Sequence, residues 1–167
     1  MTIEQINALP HDEFVRTVGP VFEHSPWIAE CTAGPFAGVA DLHAKLVATV
    51  NAASDDDKLS LIRAHPDLVG RLALEGKLTR ESTGEQAAAG LTALTDDEVR
   101  QFETFNDAYR EKFGFPFVIC ARENKKDAIL AAFPLRLKND TTQEVDTALR
   151  EIAKIARLRL NDLVTEI

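Results

Sequence analysis

"FGFPFVICA", residues Phe113–Ala121, is the one stretch of this chain that reads as strand rather than helix. Gly114 and Pro116 break a helix, and the residues around them are aromatic or β-branched. A strand needs a neighbour, and no other run alternates apolar and polar residues well enough to build a sheet. The stretch is therefore expected as a lone extended segment in an all-α protein, with main-chain groups that need partners elsewhere.

The sequence on either side is helical. Thr2-x-x-Gln5 has the form of a capping box for a short first helix ended by Pro10. Residues 11–30 predict one or two short helices, interrupted at Gly19-Pro20 and at Pro26. From Val39 to Ala53, the residues Val39, Leu42, Leu46 and Val50 share one face. Ser54 or Asp55 caps a helix that ends at His65, because Pro66 disfavours helical geometry in the residue before it. Asp67 to Leu74 is expected to resume a helix. Further helices start at Ser82 and at Thr95 or Asp96, another follows to Leu137, and a long one runs from Thr141 to Val164. The reading is a compact single domain, residues 1–167, of about eight helices, and not an up-down bundle. Trp27 and the phenylalanines are assigned to the core.

The chain has 167 residues and a net charge of −8, from 19 basic and 27 acidic residues. An acidic chain with no basic stripe argues against nucleic-acid binding. No apolar run reaches membrane-spanning length, and the first residues lack a signal peptide's basic and apolar regions. A cytoplasmic protein with no membrane partner is expected. Cys31 and Cys120 form no CxxC and are read as buried free thiols.

Three places could carry chemistry. His65, held before Pro66 at a helix end, suits a general acid or base, and equally a cap whose charged form the helix dipole favours. Ser82-x-x-Glu85 has capping-box spacing, so Glu85 is either scaffold or, with Ser82 and Gln86, a polar group facing a ligand at a helix start. Arg159 falls on the apolar line of Val145 and Ile152, where it needs an anionic or carbonyl partner. That partner is either an internal carboxylate or a ligand. The four histidines have no metal-site spacing, and no phosphate loop, dinucleotide fingerprint or serine-nucleophile motif is present.

Taken together, "FEHSPWIAE" (22–30), "LIRAHPDLVG" (61–70), "LTRESTGEQAAAGL" (78–91), "FNDAYREKFGFPFVICAR" (105–122) and "EIAKIARLRLNDLV" (151–164) closely resemble the 2-oxo-4-hydroxy-4-carboxy-5-ureidoimidazoline (OHCU) decarboxylases of urate degradation. The resemblance implies a cofactor-free, homodimeric, all-helical carboxy-lyase that releases CO2 from OHCU to give (S)-allantoin. It places the catalytic histidine on His65 and the acidic residue on Glu85. Substrate contacts fall on Pro66, Ser82, Gln86, Arg159 and the main chain of Phe117, Val118 and Ile119, with no metal. Two other readings compete. His-Pro-Asp between helices also marks J-domain cochaperones, but the preceding helix here opens Asp55-Asp56-Asp57 where that module needs basic residues. A helical interaction protein without catalysis leaves His65 and Arg159 unexplained together.

Overall fold

The computed structural model describes residues 1–70, 73 and 75–165. Among these there is no strand, and nine α-helices carry the chain. They are α1 Ile3–Asn7, α2 His11–Val18, α3 Trp27–Glu30, α4 Val39–Ala52, α5 Asp55–Arg63, α6 Arg80–Ala88, α7 Asp96–Phe113, α8 Lys126–Arg136 and α9 Thr141–Leu163, with 3-10 turns at Gly19–Val21 and Ala121–Glu123. The all-α expectation holds, and the expected break is non-helical from Gly114 to Cys120, between the end of α7 and the 3-10 turn. Gly114 at φ 76° ends α7 in the left-handed conformation, which a side chain would strain.

The chain divides into two compact units. The first comprises Met1–Ala64 with Ala153–Ile167. Here the Thr2–Gln5 box starts α1, and the Asn7 amide both donates to and accepts from the Phe36 main chain at 2.8 Å. Val39, Leu42, Leu46 and Val50 are all buried along α4, which is the face that their spacing predicts. Ser54 caps α5 by accepting from the Asp57 amide. The His43 imidazole meets the Ala153 carbonyl at 2.7 Å.

The second unit is His65–Ile152. Its core is aromatic: Phe117 stacks on Phe133 with centroids 3.8 Å apart, and Tyr109 contacts Phe113, Phe115 and Phe117. Thr95 and Glu98 cap α7 reciprocally, and Glu98 also receives the Lys126 ammonium from the start of α8. These bonds hold the half-buried Glu98 carboxyl below its ordinary range, the Lys126 bond most of all.

Three expectations change. The helix expected from Asp67 is a turn through Gly70, with Val69 at φ 53°, a conformation that ends regular helix; Arg71, Leu72 and Leu74 lie outside the described residues. Trp27 is half-buried rather than core, as is Phe105. Cys31 is exposed at the end of the one-turn helix α3, whereas Cys120 is buried. Among the described residues, no helix is long and apolar enough to cross a membrane.

The two thiols differ in a way that can be measured. Burial pushes the Cys120 thiol up, a backbone hydrogen bond from Glu123 works the other way, and the charges of Glu123, Glu151 and Glu85 add to the rise. A disulfide-exchange reagent at neutral pH is expected to titrate one thiol quickly and the second only after unfolding. Cys31→Ser should remove the fast phase; two fast thiols in the native protein would contradict the burial of Cys120.

Candidate active site

The site begins where α5 stops. Ala64 ends the helix, and His65 follows, 7% exposed, in front of the half-buried Pro66. A histidine on a bare turn would wander, but the backbone after it is bonded residue by residue. The Gln86 amide of α6 donates to the Asp67 carbonyl at 3.5 Å and accepts the Val69 N–H at 3.2 Å. Asn106 of α7 donates to the Leu68 carbonyl at 2.8 Å. Arg110 of α7 grips the Asp67 carboxylate through two nitrogens, at 3.1 and 3.3 Å.

These bonds hold a turn that is strained at Val69, since a β-branched residue at φ 53° is a genuine outlier. Gly70 is required by close approach: a Cβ there would lie 2.7 Å from the Asp67 Cβ. The loop that carries His65 is thus fixed by two helices of its own unit.

Helix α6 starts three residues earlier than its spacing predicts. Thr79 is the N-cap, and its hydroxyl accepts from the Ser82 amide at 3.2 Å. Ser82 is therefore the third residue of the helix, and Glu85 lies in its second turn. The capping-box role for Glu85 is overturned, because Thr79-Arg80-Glu81-Ser82 supplies the cap first. Ser82 and Gln86 are each 5% exposed, and Glu85 is half-buried. The end of α6 is tied to the start of α8, with Lys126 N–H on the Ala89 carbonyl and the Lys125 ammonium on the Ala88 carbonyl.

The extended run belongs to the same unit. Phe117, Val118 and Ile119 are buried. Val118 spends its carbonyl on the Arg136 guanidinium at 2.6 Å. The N–H groups of Val118 and Ile119 bond to nothing among the described residues. Just beyond them, the Glu85 charge adds the smallest share to the rise of the Cys120 thiol. His65's loop and the helix that carries Glu85 are therefore linked within one unit through Gln86.

Arg159 belongs to the other unit. It is 6% exposed and donates to Glu23 at 2.9 Å and to the carbonyls of Pro20 and Val21 at 3.3 and 3.5 Å. The internal carboxylate anticipated for it is Glu23, itself 2% exposed. Arg157 is exposed, as its position on the helix predicts.

A model of the OHCU decarboxylase family matches residues 7–161. The chain belongs to the OHCU decarboxylase family. A relative from Amia calva, a 2-oxo-4-hydroxy-4-carboxy-5-ureidoimidazoline decarboxylase, is 42% identical over 166 residues, 98% of this chain and 95% of that protein. One of the same description from Haloferax volcanii is 41% identical over 162 residues, 96% of this chain and 94% of that protein. A crystal structure of an (S)-allantoin synthase aligns with TM-score 0.79 and 31% identity, covering 98% of this chain. The chain spans about half, 54%, of the length of that structure's chain.

Several buried polar residues were not singled out in the sequence. Arg136 and Glu144 resemble ordinary helix-end charges of favourable sign, and nothing local reveals that both are buried. Glu151 accepts weakly from the Cys120 N–H at 3.5 Å. Asn106 did leave a signal, since asparagine competes with helix hydrogen bonding and needs a reason to sit mid-helix.

The corrected cap makes a separable prediction. Thr79→Ala should cost about 1 kcal/mol in urea unfolding, the usual loss for a threonine cap, while Glu85→Gln should leave the midpoint in place. Equal losses from both would return Glu85 to a structural role.

Proposed function

We propose that the chain decarboxylates OHCU to (S)-allantoin without a cofactor, with His65 as the acid/base and Glu85 as its carboxylate partner in substrate binding. The observation that carries the reading is the link made by Gln86, which ties the His65 loop to the helix bearing Glu85. Beside that helix lies a run with two undirected amides, in a chain matched by the family over residues 7–161.

The substrate's chemistry explains what such a site must do. Breaking the bond to the carboxylate leaves an electron pair on the ring carbon. In OHCU that pair moves into the adjacent ring C=N, whose nitrogen takes a proton as CO2 departs. The remaining enol loses its hydroxyl proton, and the neighbouring carbon bearing the ureido group gains one. The substrate is its own electron sink, so the protein's task is orientation, charge stabilisation and proton delivery to one face.

His65 takes the hydroxyl proton and returns one to carbon; its loop is stiff enough to hold a fixed geometry. Glu85 accepts substrate N–H groups, and Ser82, Gln86 and Pro66 shape the surroundings. The N–H groups of the Phe117–Ile119 segment donate to the ring carbonyl, where negative charge grows. Arg159 is assigned to a part of the substrate that stays. A guanidinium clamping the departing carboxylate would stabilise the ground state against reaction. Its charge is also already met by Glu23, which suits a neutral carbonyl acceptor better than a carboxylate.

The family match spans residues of both units, which supports a single functional domain over residues 1–167. A homodimer in the cytoplasm completes the proposal; sedimentation at twice the chain mass is expected, and a monomer at assay concentrations would remove the dimer from it.

The decisive assay generates OHCU from urate with urate oxidase and the hydrolase that follows it, and records circular dichroism. OHCU decays unaided, so the protein must accelerate formation of one allantoin enantiomer above that background. His65→Asn should remove about 10²–10⁴-fold of the acceleration while thermal unfolding stays near wild type. Glu85→Gln should also lower the rate sharply. A racemic product at the spontaneous rate would refute the activity. Full activity in His65→Asn would refute the role of His65.

A further inference from the structure

We infer that Arg136 is a positioning residue for the reaction, aiming the Ile119 N–H at the substrate through its hold on the Val118 carbonyl. The inference rests on the proposed reading that the Phe117–Ile119 main chain contacts substrate. Arg136 ends α8 and is 8% exposed. Its guanidinium is used in three directions: Nε donates to Glu144 at 2.7 Å, Nη1 to the Val118 carbonyl at 2.6 Å and Nη2 to the Tyr109 hydroxyl at 3.4 Å. The Phe117 ring lies beneath it, 4.2 Å from the guanidinium carbon to the ring centroid.

The anchor for this fork is complete. Glu144 is fully buried, and its Oε1 also accepts the Tyr109 hydroxyl at 2.6 Å, while its Oε2 accepts from Asn139 at 3.0 Å. Burial, reinforced by the bond to Glu144, holds the Tyr109 phenol well above its ordinary range, so it remains a donor. A buried ion pair of this kind adds little net stability over well-packed apolar side chains. Core packing alone gives no reason for two charges behind this segment; orientation of the segment does.

Peptide geometry supplies the link to the site. The Val118 carbonyl and the Ile119 N–H belong to one planar unit, and the bond between them is trans, so the two groups point in opposite directions. Fixing the oxygen on Arg136 fixes the N–H on the far side. The Ile119 N–H bonds to nothing among the described residues. A carbonyl that accepts from a cation also polarises its own N–H, making it a stronger donor. Arg136 thereby both directs and strengthens a hydrogen bond that it never touches.

The test compares Arg136→Lys with Tyr109→Phe. A lysine ammonium keeps the charge but cannot serve three acceptors in one plane. Arg136→Lys should lower kcat/KM for OHCU about tenfold or more and weaken (S)-allantoin binding by a similar factor. Tyr109→Phe leaves the Val118 bond in place, and should lower thermal stability while leaving both values near wild type. Wild-type kcat/KM and allantoin affinity in folded Arg136→Lys would overturn the inference and leave the decarboxylase reading intact. Absence of acceleration by the wild type would be a failure of that reading itself. Should Arg136→Lys not fold, the wild type decides by NMR. On addition of (S)-allantoin the Ile119 amide proton should move downfield and gain protection from exchange; an Ile119 amide that does neither overturns the inference.

Discussion

A helical chain that sends one extended segment through an aromatic core must find hydrogen bonds for main-chain groups that no sheet supplies. Here a buried guanidinium answers for Val118. Arg136 comes from α8, Tyr109 from α7 and Glu144 from the first turn of α9, so one hydrogen-bonded cluster ties three helices to the run at Gly114–Cys120. The aromatic stack of Phe117 on Phe133 packs the same segment from its apolar side. Truncating such a ring, as in Phe133→Ala, costs about 3–5 kcal/mol in typical cores. Packing thus secures the segment's place, and the ion pair settles which way its peptide planes face.

The His65 loop solves a similar problem by different means. Pro66 ends α5 and leaves a short connection with no helical bonds of its own. Side-chain amides from Gln86 and Asn106 take up the Asp67, Leu68 and Val69 main chain, and Arg110 holds the Asp67 side chain. The cost is a left-handed Val69, and the return is an imidazole whose backbone has little freedom to move. Preorganisation of this kind matters for a reaction in which one face of a planar intermediate must receive a proton.

Much of this was legible in residue order. Local rules placed the Thr2, Ser54 and Thr95 caps, the apolar face of α4, the break at Pro66 and the extended run. They erred where two local signals compete: Thr79 and Ser82 both head a possible capping pattern, and only the backbone shows that Thr79 wins. The turn at Asp67–Gly70 was missed because Val69 is a poor candidate for positive φ, and it is held there by Gln86, seventeen residues along the chain. Arg136 with Glu144, and Arg159 with Glu23, were beyond reach as pairs: a charged side chain reveals its burial only through its partner. Family resemblance, rather than periodicity, pointed to Glu85 as more than scaffold, and the corrected start of α6 removes the capping-box explanation.

The central claim is that the His65 loop, Glu85 and the Phe117–Ile119 main chain act on one substrate. A crystal structure of this protein with (S)-allantoin tests it most directly. The account predicts the ligand within hydrogen-bonding distance of the His65 imidazole, the Glu85 carboxylate and the Ile119 N–H, with the Val118 carbonyl still on Arg136. Allantoin bound away from His65 and Glu85, or an Ile119 N–H turned from the ligand, would contradict it.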